Sequence, residues 1–339
     1  MITSVKVIHQ NGSSWMTCVL DDPESSGYAL TSIEGISPGK ANINIKDIAT
    51  LDGGVFQNSR LPVRNIVLNY LIMDYVRMDE PPYALKYEPI EKSRKDFYNW
   101  FGLKKSVTII IETDYPLLRG GIRRYMIQGY VESVEPDIFS QEESIQVSIV
   151  CPRPYFQLLN SEGDSDINVT AFNQGGSFTF PWSNPWFRKT IEFGSSEAAA
   201  REYDILVDYE GDIDTGVIYT VDFIGAYDNN MIWFEHYGVG LEPELETTMR
   251  FNYLAYKAAG NPRVQAGDKL VISTMAGKKS AILHHAGTEL NVFSYIEIFD
   301  DWIALHQGVN RLRVRCPTFP DELPNIFVSM EYPILCSGV

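Results

Sequence analysis

In Ser144–Val150, "SIQVSIV", the apolar residues Ile145, Val147 and Ile149 fall at every second position. A strand places alternate side chains on opposite faces, so this spacing predicts a strand with one buried face. The same period returns in Val107–Glu112 ("VTIIIE"), Met126–Val134 ("MIQGYVESV") and Arg64–Met73 ("RNIVLNYLIM"). Gly120-Gly121, between two of these runs, predicts a hairpin. Only Pro89–Phe101, "PIEKSRKDFYNWF", predicts a helix in this half of the chain. There Ile90, Phe97, Trp100 and Phe101 lie near one stripe, Pro89 suits the first turn, and Gly102 suits a left-handed position after the last.

Beyond residue 160 the pattern is many short strands separated by turn residues. Strands are expected over Thr190–Phe193, Tyr203–Asp208, Val217–Ile224, Met231–Phe234, Lys269–Thr274, Trp302–Leu305, Arg311–Arg315 and Ile326–Tyr332. Stretches such as "DYEGDIDTG", "QAGDK", "MAGKK" and "HQGVN" divide them, which favours an antiparallel β-sandwich. With 339 residues the chain is longer than one core usually serves, so two domains are expected. The boundary is placed at "IVCPRPYF". Pro152 and Pro154 remove backbone donors and bias Cys151 and Arg153 to extended shapes, so pairing should stop there. The expected domains are 1–152 and 153–339, with Cys151, Pro152, Arg153 and Pro154 as the hinge between them. A strand ending in Cys-Pro recurs at "RVRCPTFP" (Arg313–Pro320), which favours a strand-stopping role over a catalytic thiol.

Charge excludes one class of function. The chain carries 28 basic and 44 acidic residues, a net charge of −16, and no basic cluster larger than Lys92–Lys95. Duplex DNA binding, which rests on phosphate contacts, is disfavoured. The opening "MITSVKVIHQNGSSW" lacks a leader's basic start and apolar core, and no apolar run reaches the length of a membrane span. A soluble protein made in a cytoplasm is expected, with no membrane partner.

Catalytic signatures are missing. Cys18, Cys151, Cys316 and Cys336 form no CxxC, and no helix follows Cys151 to lower its pKa. Neither GxSxG nor a phosphate-binding glycine motif occurs. A zinc site would need ligands paired at short spacing, which the five histidines do not supply, and adjacent His284-His285 should point to opposite faces. Asp208, Glu210, Asp212 and Asp214 alternate, but the EF-hand's sixth and twelfth positions are Ile213 and Tyr219. A solvated acidic turn is expected, and no metal, cofactor or catalytic residue is assigned. Trp182 and Trp186, in the proline-punctuated "FTFPWSNPWF", are the candidate glycan or partner contacts.

The order of these features resembles the distal tail protein (Dit) family of tailed bacteriophages, the tail components that form a baseplate hub. The resemblance is carried by "YALTSIEGISPGKANINIKDIATLDGGVFQNSRLPVRNIVLNYLI" (Tyr28–Ile72), by the helix at Arg94–Gly102, and most closely by "RYMIQGYVESVEPDIFSQEESIQVSIVCPRPYF" (Arg124–Phe156). "GDKLVISTMAGKKSAIL" and "DWIALHQGVNRLRV" continue it. The segment 226–265 is longer than the family's sandwich suggests and reads as an insertion or rim extension. The resemblance implies a mainly β protein: a tail-tube-like N-terminal domain with one helix, and a galectin-like or carbohydrate-module-like C-terminal sandwich. It implies a homo-hexameric ring in the virion, at the end of the tail tube, with DNA passing through without specific binding. Its partners would be the tail-tube protein, a tail-tip hub protein, and receptor-binding or other baseplate proteins. No enzyme is implied. Residues 51–60, with Asp52, Gly53, Gly54 and Phe56, are expected to form an arm reaching a neighbouring subunit. The alternative reading is a carbohydrate-binding adsorption protein that touches the host cell wall.

Overall fold

The computed structural model describes residues 2–9, 15–19, 27–48, 52–78, 85–115, 121–137, 143–159, 168–172, 202–225, 227, 231–238, 244–316 and 326–339. The chain is mainly β and divides into two units, Met1–Asp166 together with Leu335–Val339, and Ile167–Ile334. No helix among the described residues is long and apolar enough to cross a membrane.

The first unit is built on one antiparallel sheet. Its order is Trp15–Val19, Ile2–His9, Ser106–Tyr115, Gly121–Asp137, Ser144–Cys151, Arg64–Ile72 and Tyr28–Glu34. The alternation read from the sequence sets the register: Ile145, Val147 and Ile149 are buried, and so are Ile66, Leu68, Tyr70 and Ile72 on the neighbouring strand. The expected hairpin is present, with Gly121 opposite Tyr115. A helix over Ile90–Trp100 covers the core face. Phe97 and Phe101 pack 5.3 Å and 5.9 Å, centroid to centroid, from Tyr70. Full burial of a Phe ring contributes about 2–3 kcal/mol, so these two rings anchor the helix. One detail differs from expectation. The left-handed residue after the helix is Lys104, at φ 65°, and not Gly102.

The boundary expected at 152/153 lies further on. Ser144–Cys151 does stop at the prolines, but the chain turns back, and Phe156–Leu159 pairs with Arg124–Met126 of the same sheet. Phe156 is buried in the first core. Tertiary packing overrides the local stop, because Tyr155-Phe156 brings fresh apolar surface that this core can bury. Leu335–Val339 also belongs to this unit, and the last strand, ending at Cys336, pairs with Phe156–Leu159.

The second unit is a β-sandwich around a single core. One sheet runs Asn168–Phe172, Ile326–Tyr332, Ile218–Phe223, Lys269–Ser273, Ser280–His285 and Thr288–Asn291. The other runs Glu202–Tyr209, Gly308–Arg315, Met231–Tyr237, Leu245–Asn252 and Ile296–Ile298. The described residues of 226–265 contribute to this core rather than to an appended rim. Ile232, Phe234, Met249, Phe251, Tyr253 and Tyr256 are all buried, and the last two sit on a short helix, Tyr253–Ala258, that the sequence reading did not anticipate. The expected strand Thr190–Phe193 lies outside the described residues.

Candidate functional site: an exposed arm and the clasp at its base

The candidate arm is a hairpin of its own. Asn42–Asp47 pairs with Gly54–Arg60 as a separate two-stranded sheet, and every residue of both strands is exposed. Strand rather than loop is therefore the structure of 54–60, and its partner strand extends the arm back to Asn42. Gly53 turns the chain with φ 97°, a conformation open to glycine. Ile45 stands directly opposite Phe56, and Ile43, two residues along, shares its face. These three side chains are 57%, 60% and 61% exposed respectively. An isolated two-stranded hairpin is marginal in water, and a row of exposed apolar side chains on one calls for a surface to cover it.

At the foot of this arm sits Arg64, opposite Cys151 in the sheet and only 7% exposed. Its guanidinium reaches four carbonyls. Nε donates to Pro154 O at 2.7 Å, one terminal nitrogen to Gly35 O at 2.6 Å and Ser37 O at 2.8 Å, and the other to Ser337 O at 2.6 Å. The same group lies 4.8 Å from the centroid of the Phe156 ring. Residues 35–37 lead into the arm, Arg64 follows it, Pro154 is on the returning segment, and Ser337 is on the C-terminal tail. One side chain thus ties four stretches of the first unit. Val339 N donates to Ile36 O at 3.1 Å and adds a second tie to the tail. Gly35 makes the geometry feasible: at φ 84°, an added Cβ would stand 2.1 Å from Asn65 O. Burial lowers the pKa of Arg64 from its ordinary value, but a guanidinium keeps its charge at any physiological pH.

Of the expected hinge residues, Cys151 is buried, and Pro154 is held by Arg64. Pro152 and Arg153 are exposed beside them. Burial pushes the Cys151 thiol up to about 12, and the charge of Arg64 only partly opposes this. A thiol so raised and closed off from solvent is a packing group, not a nucleophile.

The expected contacts Trp182 and Trp186 lie outside the described residues. The second unit carries another aromatic surface that the sequence reading passed over. Trp233 stacks on Phe299 at 5.8 Å, and Arg250 lies over both rings while pairing with Glu297. Arg315 also lies over Trp233 and pairs at 2.5 Å with the buried Glu235. Arg311 and Arg313 both approach the Tyr237 ring. Alternating Arg at 311, 313 and 315 was the available signal, since alternate residues of a strand share a face.

No family model matches the chain, and no curated protein does. Solved structures do. The crystal structure of the Dit protein of phage SPP1, described as a paradigm of the hub adsorption apparatus of phages infecting Gram-positive hosts, overlays with a TM-score of 0.55, at 10% identity, over 98% of both chains. A chain of the phage P2 baseplate, in its activated conformation with calcium, is 12% identical over 100% of both chains, at a TM-score of 0.43. The first overlay establishes a shared fold across both units.

Proposed function

We propose that this chain, which has the fold of the SPP1 Dit protein from end to end, is a structural subunit of a phage baseplate hub. The observation that carries the reading is that full-length likeness. Fold alone does not fix function, and the arm is what gives the reading a mechanism. In a closed ring each subunit meets its neighbours through two different surfaces. The apolar face of Ile43, Ile45 and Phe56 is one such surface, laid against the next subunit of a homo-hexamer. Arg64 fixes the base of the arm so that its tip is presented in one direction. The net charge of −16 suits a ring through which DNA passes without being held. The second unit would dock the receptor-binding or other baseplate proteins, and the ring would sit in the virion between the tail-tube protein and the tail-tip hub protein.

Light scattering on the size-exclusion peak, with negative-stain images of the same fraction, tests the reading. Six chain masses and a ring with a central hole are expected, alone or on mixing with the tail-tube protein. A monomer under both conditions would overturn it.

A further inference from the structure

At one end of the five-stranded sheet three side chains converge, two from adjacent strands and one from a turn some sixty residues further along the chain. His236, on Met231–Tyr237, is fully buried. Its Nε2 lies 3.1 Å from Asn310 Oδ1. The orientation of that amide is fixed by its other bonds. Asn310 Nδ2 donates to His306 O at 2.7 Å and Gly308 O at 2.8 Å, while Oδ1 accepts from His306 N at 2.9 Å. Oδ1 is therefore an acceptor toward His236 as well, and Nε2 carries the hydrogen. In the neutral ring the lone pair then sits on Nδ1. That atom is buried and makes no hydrogen bond, yet it faces Glu246 Oε2 at 3.4 Å. A lone pair and a carboxylate oxygen at this distance repel each other unless a proton or a metal cation lies between them.

Glu246 is directed there by the backbone. Opposite strands pair His236 with Thr247 and Tyr237 with Leu245, which leaves Glu246 as the extra residue of a β-bulge. Bulges re-aim a side chain and are common beside functional sites. The other carboxylate oxygen, Oε1, is 3.1 Å from His306 Nε2. On its far side His306 Nδ1 meets Asp214 Oδ2 at 3.1 Å. Each imidazole thus turns one nitrogen inward and has the other held by an oxygen, Asn310 for His236 and Asp214 for His306. This is the outer support that metal-binding histidines use to fix their tautomer.

We propose that His236 Nδ1, Glu246 and His306 Nε2 bind a divalent transition-metal ion of the zinc type. The three ligand atoms lie within 4.8 Å of one another. Bonds of about 2.0–2.1 Å at tetrahedral angles require ligand separations of roughly 3.3 Å. His236 Nδ1 is 3.4 Å from Oε2 and His306 Nε2 is 3.1 Å from Oε1, so each imidazole meets its own oxygen of Glu246, and the partly exposed His306 and Glu246 side chains can turn to draw the set around one ion. Two imidazoles select zinc and its neighbours over calcium or magnesium, which take oxygen. Glu246 and His306 are partly exposed, so a fourth position opens to solvent, for water or a donor from a partner. The ion would join the central strand, its neighbour and the turn before Gly308–Arg315. This site stands whether or not the chain forms a ring.

The test uses untagged full-length protein, stripped with chelator and titrated with zinc sulfate by calorimetry, with the metal content of the dialysed protein measured independently. One zinc per chain and a raised melting temperature are expected. Glu246→Gln and His306→Ala, both at partly exposed positions, should each weaken binding by more than the roughly 10-fold expected for Asp214→Asn, and should keep the wild-type circular dichroism. Failure to take up one equivalent of zinc overturns the site. So does equal uptake by wild type and His306→Ala, which would mark zinc scattered over an acidic surface.

Discussion

The arm and its base lie within a few residues of each other and are built in opposite ways. The arm, Asn42–Arg60, has an apolar face that nothing in its own unit covers. Its base holds a buried cation whose donors are spent on four carbonyls of the same unit. Apolar surface left in water costs stability in the single chain and is recovered only on association. A buried guanidinium is tolerable only when its partners are already in place. The base therefore belongs to folding, the arm is the part we propose for assembly, and the two can be separated by mutation.

The largest effect is expected at the base. Arg64→Ala removes the shared donor of Gly35, Ser37, Pro154 and Ser337 and its packing on Phe156. Unsatisfied buried polar groups cost about 1–3 kcal/mol each, and some of these carbonyls would recover water, so a loss of about 3–5 kcal/mol is expected in urea unfolding. Arg64→Lys should restore little, because one ammonium cannot span four acceptors that a planar fork reaches. A loss below about 1 kcal/mol would show that the four segments hold together without it.

At the arm the pattern should reverse. Ile45→Asp with Phe56→Asp removes the apolar face and leaves the core untouched. Exposed substitutions of this kind change stability by about 0.5 kcal/mol or less. The melting temperature should hold while the six-fold mass in light scattering falls to the monomer. Six-fold assembly by the double variant would remove the arm from the interface.

Part of this contrast was legible in the sequence. Alternation gave four strands of the first sheet, Arg64–Ile72, Ser106–Tyr115, Gly121–Asp137 and Ser144–Cys151, but not Ile2–His9 or Trp15–Val19, and the single apolar stripe gave the helix at Ile90–Trp100. Gly53 marked a turn at 52–54, but the strand Asn42–Asp47 was not read, because its apolar alternation is only two residues long, Ile43 and Ile45. Arg64 looked like the first residue of a strand. Its partners are backbone carbonyls, which any residue possesses, so no side-chain pattern announces them. Leu245–Asn252 escaped because Thr247 interrupts the apolar residues Leu245, Met249 and Phe251 at its alternate positions, and the bulge at Glu246 leaves Leu245 exposed while Thr247, Thr248 and Met249 are buried. The same bulge hid the His236, Glu246 and His306 set, whose members come together only through sheet register.

The smallest effect should come from the residue that most suggested chemistry. Cys151 pairs with Arg64 in the sheet, and its sulfur sits where a Cβ on Gly129 would approach to 2.8 Å. With the thiol raised to about 12, about one molecule in ten thousand carries the thiolate at pH 8, before burial blocks any reagent. Iodoacetamide at pH 8, followed by peptide mass mapping, should leave Cys151 unmodified in the native protein and label it in urea. Cys151→Ser trades a small apolar group for a hydroxyl short of partners. A loss of about 1 kcal/mol is expected, with assembly unchanged. The comparison then has a clear breaking point. If native Cys151 is alkylated as fast as the unfolded chain, the strand beneath Arg64 opens readily, and the base is no firmer than the arm it carries.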